Sequence, residues 1–391
     1  MESNSVRLVA LEIENIKNVK YGRLDFSKSK NGSILGIYGQ NGSGKTVVVD
    51  CMLLLKQLFS GKQIPPNFYY YINSQSETAQ VKYCFDIKSE HGESYAEYKV
   101  KLLKNGEHSF CISEEKLSVK NYLEDQKTKL TPIFEYKRGE KSFFRPLKYY
   151  NYFEKNIDNM ISLGVAQQAT ENFNEENEKP EVGSFLFSKK AQDIFEKAEG
   201  EAYKIFYFSS ILQKYGIYDL AVIENEYNAL LALNLDMIPV NISWPSHMKA
   251  NMKGIMLRLT DVNVVPKEIY SYVVNTIEQI NIVMKALIPE IQLEICNIFD
   301  KLMKNGKDGV QFEIITLRDG ARIPLLYESA GIKKLISICS NLVACYNRES
   351  YCLVVDELDS GIYEYLLGEC LEVMQERAKG QLIFTSHNLR P

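Results

Sequence analysis

One short segment, residues 39–46, constrains the fold more than any other stretch of the chain. Its sequence, Gly-Gln-Asn-Gly-Ser-Gly-Lys-Thr, meets the pattern G-x-x-x-x-G-K-[ST] at every fixed position. The apolar residues 33–38 before it predict a buried strand, and residues 47–59 after it carry apolar side chains at helical spacing. Strand, glycine-rich loop and helix follow in the order that a phosphate-binding loop requires.

The residue types of this loop suit the capture of a polyphosphate. Glycines let the backbone take unusual dihedrals, so that successive N–H groups and the helix N-terminus can face negative charge. We expect the lysine to reach the β- and γ-phosphates of ATP and the threonine hydroxyl to take one coordination position on Mg²⁺. The predicted nucleotide-binding residues are Gly39, Asn41, Gly42, Ser43, Gly44, Lys45 and Thr46.

A second chemical feature lies near the other end of the chain. Residues 352–357 form an apolar run that ends in two acids, Asp356 and Glu357, which is the Walker B pattern. Asp356 is predicted to hold Mg²⁺ through water, and Glu357 to orient or deprotonate the attacking water. Carboxylates at the ends of parallel strands stand where such sheets bind ligands. An apolar strand followed by two acids is by itself as often structural as functional, so its neighbours decide its meaning.

Changes in periodicity divide the 391 residues into three predicted parts. Alternating apolar and polar residues before position 146 predict antiparallel strands, and helical periodicity dominates afterwards. Helical tracts are predicted around residues 189–214, 220–233 and 267–287. The parts are an N-terminal lobe (1–146) with the phosphate loop and an antiparallel sheet, a helical insertion (147–290) and a C-terminal lobe (291–391).

Composition excludes several classes of protein. No apolar run approaches the ~18 residues of a membrane span, and the N-terminus lacks the features of a signal peptide, so a cytoplasmic location is predicted. The eight cysteines form no C-x-x-C pair and are interpreted as reduced core residues. A net charge of −4 does not favour a dedicated nucleic-acid-binding domain. The basic cluster in residues 137–145 is interpreted as a solvated loop, and DNA stays an open partner.

Motifs around the acidic pair resemble those of ABC-type ATPases. The segment 328–331, Glu-Ser-Ala-Gly, resembles the signature motif at a helix N-terminus. Asp359 resembles the D-loop aspartate, and His387 resembles the switch histidine. With Asn15 after the first predicted strand, the chain resembles the RecF/SMC/OLD branch of ABC ATPases. It is most similar there to AAA-type ATP-binding proteins of bacterial anti-phage and abortive-infection systems, such as the PARIS ATPase and the ATPases paired with RloB-like proteins.

This resemblance implies an α/β fold, namely a P-loop NTPase of ABC-ATPase type with an inserted antiparallel sheet and a helical insertion. It implies an ATPase that forms a homodimer or a higher homo-oligomer and holds ATP and Mg²⁺ between subunits. Ser329 and Gly331 of one subunit would then bind the γ-phosphate held by the other, and His387 would sense it. A toxin or nuclease effector is the implied protein partner, and no membrane is implied.

Two departures from the family pattern leave alternatives open. A Q-loop glutamine is not evident, and Gln167 or Gln168 is the candidate. The chain also ends soon after His387, from which we expect the sequence to be a fragment. The alternatives are an OLD-type nuclease whose TOPRIM domain lies beyond residue 391, a RecF-like DNA repair ATPase, and an ATP-bound scaffold that sequesters an effector.

Overall fold

The described part of the chain contains both strands and helices, as expected of an α/β protein. The structure, a computed structural model, describes residues 4–26, 33–40, 42–123, 126–127, 129–171, 182–224, 237–241, 254–259, 261–287, 289–303, 306–359 and 364–386. The strands are β1 (Ser5–Ile16), β2 (Val19–Asp25), β3 (Ser33–Tyr38), β4 (Gln63–Ile64), β5 (Thr78–Ser89), β6 (Gly92–Lys104), β7 (Phe110–Leu123), β8 (Gln126–Lys127), β9 (Thr131–Lys137), β10 (Val182–Gly183), β11 (Leu220–Ile223), β12 (Met237–Asn241), β13 (Gly254–Arg258), β14 (Asn263–Pro266), β15 (Ile291–Leu302), β16 (Asp308–Arg318), β17 (Ala321–Pro324), β18 (Cys352–Val355) and β19 (Gln381–Ser386). The helices are α1 (Lys45–Phe59), α2 (Leu147–Glu154), α3 (Ile157–Gln168), α4 (Lys189–Phe195), α5 (Tyr203–Lys214), α6 (Lys267–Leu287), α7 (Ala330–Asn347) and α8 (Glu364–Arg377).

The chain divides into two compact units, each assembled from two separate stretches of sequence. Unit 1 comprises Met1–Lys30 and Gln40–Leu220, and unit 2 comprises Asn31–Gly39 and Ala221–Pro391. The chain therefore passes from unit 2 to unit 1 inside the predicted phosphate loop, between residues 39 and 40. The predicted division at residues 146 and 290 follows sequence periodicity rather than contacts, and it stays a prediction.

Seven strands of unit 1 form one antiparallel sheet. Its order is β2-β1-β5-β6-β7, and β8 and β9 both pair with β7. Buried and less buried side chains alternate along β5 and β6, the pattern of a sheet with one packed face and one wetter face. The antiparallel sheet predicted before residue 146 is confirmed, and Ser89 pairs with Gly92 in the hairpin of β5 and β6.

Helix α1 belongs to the core of unit 1 and is buried along nearly its whole length. Its Phe59 ring packs against Phe85 of β5 and Tyr98 of β6, with ring centroids 5.7 and 5.1 Å apart. The Tyr83 hydroxyl donates a hydrogen bond to the carbonyl oxygen of Cys51 inside the helix. A helix that is apolar on most of its sides is typical of a protein interior. The helix predicted at residues 47–59 is confirmed and begins two residues earlier.

A buried carboxylate connects the sheet of unit 1 to the segment before α4. Glu115 of β7 is 0% exposed and accepts hydrogen bonds from the hydroxyls of Tyr98 and Ser184, at 2.8 and 2.5 Å. Its other oxygen accepts from the backbone N–H groups of Phe185 and Leu186, at 2.9 and 3.2 Å. Burial raises the pKa of Glu115, and these hydrogen bonds act in the opposite direction. A carboxylate with four donors at this depth fixes the local chain path.

Unit 2 contains the parallel sheet that follows the order β11-β18-β19-β3. Strand β19 lies between β18 and β3 and runs parallel to both. Every residue of β18 and β19 is buried, as expected for parallel strands that are covered on both faces. The strand predicted at residues 33–38 and the apolar strand that precedes Asp356 are confirmed.

Helix α7 of unit 2 packs on two sides. Ile336 and Cys339 lie in an apolar cluster with α6 and the antiparallel sheet of β14, β15 and β16. Ile338 and Leu342 lie in a second cluster with β18, β19 and α8. The middle of α7 is therefore packed between the two clusters. Helix α6 has the predicted bounds, and these apolar residues at helical spacing along it are buried: Ile269, Val273, Ile277, Ile280 and Met284.

The helical tract predicted at residues 220–233 is wrong where the structure describes it. Strand β11 occupies its beginning and belongs to the parallel sheet, and the backbone N–H of Asp356 donates to the carbonyl of Ile223 at 2.8 Å. Four consecutive apolar residues fit a buried strand as well as a helix, and pairing with the sheet decides between them. Residues 225–233 lie outside the described residues.

Two findings on the described part of the chain concern membrane spans and cysteines. None of its helices is long and apolar enough to cross a membrane. The structure describes seven cysteines, and six of them are buried, as expected of core residues.

The Glu115 network generates a prediction about stability. Glu115→Ala removes the acceptor of two buried N–H groups and two hydroxyls, so we expect a loss of about 2–4 kcal/mol in the free energy of unfolding. Glu114→Ala is the matched control, because Glu114 makes only a half-exposed ion pair with Lys99 at 3.1 Å, worth less than about 1 kcal/mol. Urea unfolding measures both variants, and equal losses would contradict the assigned role of Glu115.

Candidate functional site

The phosphate loop of unit 1 has the backbone conformation that its glycines permit. Gly42 and Gly44 have φ of 80° and 94°, in the left-handed region that other residues rarely adopt. A Cβ atom on Gly44 would also lie 3.0 Å from the Cγ2 atom of Val19. Helix α1 begins directly after Gly44. The two glycines therefore determine how the loop turns into the helix.

Two side chains donate hydrogen bonds to backbone carbonyl groups of this loop. The Lys45 side chain is buried, with the residue 8% exposed, and its Nζ donates to the carbonyl oxygen of Gln40 at 3.0 Å. Asn18, in the turn between β1 and β2, donates from Nδ2 to the carbonyl oxygen of Gly42 at 2.6 Å. Lys17 in the same turn forms an ion pair of 2.6 Å with Asp50 of α1. The β1–β2 turn is thus attached to both the loop and the helix.

The N-terminus of α1 suits an anion. Its first turn contains no acidic residue, so the partial positive charge of the helix end is not offset by its own side chains. Ser43 and Thr46 are exposed at this end, where their hydroxyls can meet a ligand. Asn41, also predicted to bind nucleotide, lies outside the described residues.

A cavity of about 580 Å³ lies in unit 1. One of its lining residues, Asn18, also donates a hydrogen bond to the phosphate loop. Its volume falls in the range of about 300–1,000 Å³ that is usual for ligand pockets. Lys104 donates from Nζ to the carbonyl of Asn73 at 3.1 Å, and the Tyr70 hydroxyl lies 3.0 Å from Nδ1 of His108. The cavity is lined by Lys17, Asn18, Tyr69, Tyr70, Ile72, Asn73, Ser74, Gln75 and Lys104. Aromatic rings, amides and ammonium groups together suit a heterocyclic base and its ribose.

In unit 2, strand register brings the start of the loop and the acidic pair to the same edge of the sheet. Tyr38 at the end of β3 pairs with Ser386 of β19, and Val355 at the end of β18 pairs with Phe384 of β19. Because these strands are parallel, Gly39 and Asp356 leave the sheet at its carboxyl edge, on either side of β19. This is the edge where open α/β sheets bind ligands.

The acidic pair is connected through a residue of the neighbouring strand. Thr385 of β19 donates from Oγ1 to Oδ1 of Asp356 at 2.5 Å. The hydroxyl oxygen of Thr385 also accepts a hydrogen bond from the backbone N–H of Glu357 at 2.8 Å. Asp356 is 7% exposed, whereas Glu357 is half-buried. The carboxylate of Asp356 is therefore oriented by the hydroxyl of Thr385.

Glu357 has a backbone conformation that is uncommon for its residue type. Its φ is 49°, in the left-handed region, where a residue other than glycine stores strain of about 1–3 kcal/mol. The N–H groups of Glu357 and of Leu358 both bond to Thr385, the latter to its carbonyl oxygen at 3.0 Å. Strain of this kind concentrates at functional sites, which favours a functional role for this turn.

The predicted metal ligands are of the type that binds Mg²⁺ together with a substrate. No group of three or more His, Cys, Asp or Glu residues in the described part of the chain could hold a metal ion. Mg²⁺ is usually bound by one or two protein oxygens together with water and substrate phosphates. The Thr46 hydroxyl of unit 1 and the Asp356 carboxylate of unit 2 are each oxygen donors of this type.

The predicted signature segment lies at the N-terminus of α7. Ser329 is the N-cap residue, and its side chain accepts from the N–H of Ile332 at 3.3 Å. The carboxylate of Glu328 accepts from the buried Thr316 hydroxyl at 2.5 Å. Gly331 lies in the first turn of the helix. A capping serine, an N-terminal glycine and an unopposed helix end can bind an anion as well as complete the helix.

The structure describes some of the remaining predicted site residues and not others. Asp359 lies in the turn that follows Asp356 and is half-buried. His387, predicted to sense the γ-phosphate, lies outside the described residues. Gln167 and Gln168 form the C-terminal end of helix α3 in unit 1. The roles of all these residues stay predictions.

Sequence reasoning missed three parts of this arrangement. Thr385 carried one signal, since it is a polar residue that directly follows three apolar residues of a buried strand. Asn18 carried none, because its partner Gly42 is 24 positions away. Tyr69 and Tyr70 line the cavity, which the run of three tyrosines at residues 69–71 does not by itself indicate.

Comparison with known proteins identifies one family. The family model described as AAA domain matches residues 10–236, more than half of the chain. This range includes the whole phosphate loop, most of the sheet of unit 1 and the cavity residues. No curated protein matched the chain.

Several solved structures are similar to the chain at low identity. The recombination mediator protein RecF with ATP is 14% identical, with 99% of this chain and 94% of that chain covered and a TM-score of 0.40. The Smc head domain of Pyrococcus furiosus, bound to the C-terminal domain of ScpA, is 12% identical, with 98% and 90% covered and a TM-score of 0.42. The SMC head domain from Thermotoga maritima is 14% identical, with 98% and 89% covered and a TM-score of 0.33.

The bond between Asn18 and the loop generates a prediction about nucleotide affinity. Asn18→Ala removes the donor to the Gly42 carbonyl, so we expect binding of a fluorescent ATP analogue to weaken about threefold to tenfold, the worth of one hydrogen bond. Lys20→Ala is the control, because Lys20 is an exposed residue at the start of the β2 strand. Unchanged affinity in the Asn18 variant would show that the loop keeps its shape without this bond.

Proposed function

The chain belongs to the AAA domain family, and on that premise we propose that it binds and hydrolyses ATP between two copies of itself. The observation that carries the proposal is the phosphate loop at the N-terminus of α1, with its left-handed glycines and its buried lysine. Successive N–H groups, a helix end and an ammonium group are the donors that bind the phosphates of ATP. Lys45 would contact the β- and γ-phosphates of the bound nucleotide.

The acidic pair supplies the chemistry of hydrolysis in this proposal. Glu357 would accept a proton from a water molecule, whose oxygen attacks the γ-phosphorus as the bond to the β–γ bridging oxygen breaks. Asp356 and Thr46 would hold Mg²⁺, which neutralises charge on the phosphates when bound. The left-handed conformation of Glu357 and the hydrogen bonds to Thr385 support this assignment, because they fix the direction of both acids.

A second copy of the chain completes the proposed site. Ser329 and Gly331 at the start of α7 would bind the γ-phosphate held by the other copy, with Asp359 near the same boundary and His387 as the sensor. The support is the N-cap geometry of Ser329 and a first turn of α7 that contains no acidic residue. ATP would favour the closed dimer, and hydrolysis would open it.

The cavity of unit 1 would take the base and ribose of the same ATP molecule. Its connection with the loop through Asn18 supports this assignment, as does the exposed Tyr70 ring, since base stacking on an aromatic ring contributes about 1–3 kcal/mol. The cavity would provide specificity for the base, which a phosphate loop alone does not provide.

The biological role proposed for the ATPase is control of an effector, a toxin or nuclease, in anti-phage defence. Its support is the resemblance of the motifs around residues 328–334 and 356–359 to ATPases of such systems. A RecF-like role in DNA repair differs in one measurable property, stimulation of ATP turnover by duplex DNA. Local charge weighs mildly against DNA, because Lys137, Arg138 and Arg145 each pair with a glutamate within 3.6 Å.

Replacing the proposed base tests hydrolysis. Glu357→Gln keeps the shape of the side chain but cannot accept the proton, so we expect turnover to fall about 10²- to 10⁴-fold. ATP binding and ATP-dependent dimerisation, measured by light scattering after size exclusion, should persist. Glu372→Gln changes an exposed glutamate of α8 and is the control. Wild-type turnover in the Glu357 variant would remove this residue from its role.

Replacing a cavity tyrosine tests the placement of the base. Tyr70 is 63% exposed, and Tyr70→Ala should weaken ATP binding about tenfold through lost stacking. Inorganic tripolyphosphate lacks a base, so its competition for the loop should be unchanged in this variant. Tyr21→Ala removes a similarly exposed tyrosine outside the cavity and serves as the control. A parallel loss of ATP and tripolyphosphate binding would place the base elsewhere.

A further inference from the structure

Thr385 is the residue that links the two acids of the proposed active site. Its hydroxyl donates its single proton to Oδ1 of Asp356 at 2.5 Å and accepts the N–H of Glu357 at 2.8 Å. Thr385 and Asp356 are both buried, so water does not readily substitute for either bond. One hydroxyl therefore fixes a side chain and a backbone group of consecutive residues.

The position of Thr385 in the sheet explains why it can make both bonds. Strand β19 lies between β18 and β3, and Thr385 is opposite Ile37 of β3. Its pairing with β18 ends at Phe384, which is opposite Val355. Thr385 is consequently the first residue of β19 beyond the paired part of β18. There its hydroxyl meets the turn that begins at Asp356.

The turn itself depends on Thr385 at two further points. Glu357 has a φ of 49°, which a glutamate adopts only when its surroundings favour that conformation. The N–H of Glu357 bonds to the Thr385 hydroxyl, and the N–H of Leu358 bonds to the Thr385 carbonyl. The direction of the Glu357 side chain is thereby tied to the same residue that orients Asp356.

Packing alone does not explain a threonine at this position. The three residues before it, Leu382, Ile383 and Phe384, are apolar and buried. Valine has nearly the same shape as threonine and fits a buried strand at least as well. The hydroxyl costs free energy to bury unless it is hydrogen-bonded. Both of its bonds go to the acidic turn.

We propose that Thr385 is a positioning residue that sets the geometry of both Asp356 and Glu357 for binding nucleotide-associated Mg²⁺ and for hydrolysis. This inference rests on the proposed function. Residues that orient metal ligands typically contribute 10- to 100-fold to metal affinity or activity. Thr385 would act through the two acids and would not touch ATP.

Two substitutions separate the hydroxyl from the shape of the side chain. Thr385→Val keeps the volume and removes both hydrogen bonds, whereas Thr385→Ser keeps the hydroxyl. Thr276→Val is the matched control in the same unit, because the buried Thr276 hydroxyl bonds only to the carbonyl of Tyr272 within helix α6. Thermal unfolding of all variants reports any general loss of stability.

Two readouts are measured on the full chain. The first is the affinity for Mn²⁺, as a paramagnetic substitute for Mg²⁺, in the presence of a non-hydrolysable ATP analogue. The second is ATP turnover as a function of Mg²⁺ concentration. We expect Thr385→Val to lower the Mn²⁺ affinity and kcat by about 10- to 100-fold each. Thr385→Ser and Thr276→Val should stay within about threefold of the wild type.

The other outcomes separate failure of this inference from failure of the proposed function. Wild-type Mn²⁺ affinity in Thr385→Val shows that Asp356 needs no positioning. Equal losses in Thr385→Val and Thr385→Ser, in step with a lower unfolding temperature, show a structural role only. A wild-type protein that binds Mn²⁺ with the analogue but does not turn over ATP contradicts the proposed hydrolysis, while the Mn²⁺ comparison still decides the role of Thr385. A wild-type protein without analogue-dependent Mn²⁺ binding contradicts both.

Discussion

The parallel pairing of β3, β19 and β18 is the constraint on which the chemistry of unit 2 depends. Parallel strands share the direction of their carboxyl ends, so the residues that follow them leave the sheet on one edge. Gly39 and Asp356 leave that edge on either side of β19, although 317 positions separate them in the sequence. A shift of one residue in this register would turn the side chains of β19 to the opposite face and remove Thr385 from the acidic turn.

Unusual backbone conformations occur at both predicted halves of the site. In unit 1, Gly42 and Gly44 take left-handed dihedrals where the loop meets helix α1. In unit 2, Glu357 takes one without being a glycine, and two N–H groups bonded to Thr385 stabilise it. Glycine makes such a conformation inexpensive, whereas glutamate requires stabilisation from its surroundings. The loop is therefore specified locally, and the acidic turn is specified by a neighbouring strand.

Local patterns predicted the elements that carry the motifs. The strand before the loop, helix α1, the hairpin of β5 and β6, helix α6 and strand β19 follow from periodicity and from turn residues. The helix predicted at residues 220–233 was wrong at its beginning, because an apolar run of four residues is compatible with either a strand or a helix. Its first residues form β11 since the sheet offers hydrogen-bond partners there, such as the N–H of Asp356 for the Ile223 carbonyl.

The sequence by itself determined which residues could bind phosphate and which could provide carboxylates, because glycines, lysine and consecutive acids act through local chemistry. Only the tertiary structure decided which residues support them. Asn18 reaches Gly42 across 24 positions, and Thr385 reaches Asp356 across 29. The physical reason is that hydrogen bonds of this kind depend on strand register and on the path of a turn. Both are set by the burial of many apolar side chains together and leave no local pattern in the sequence.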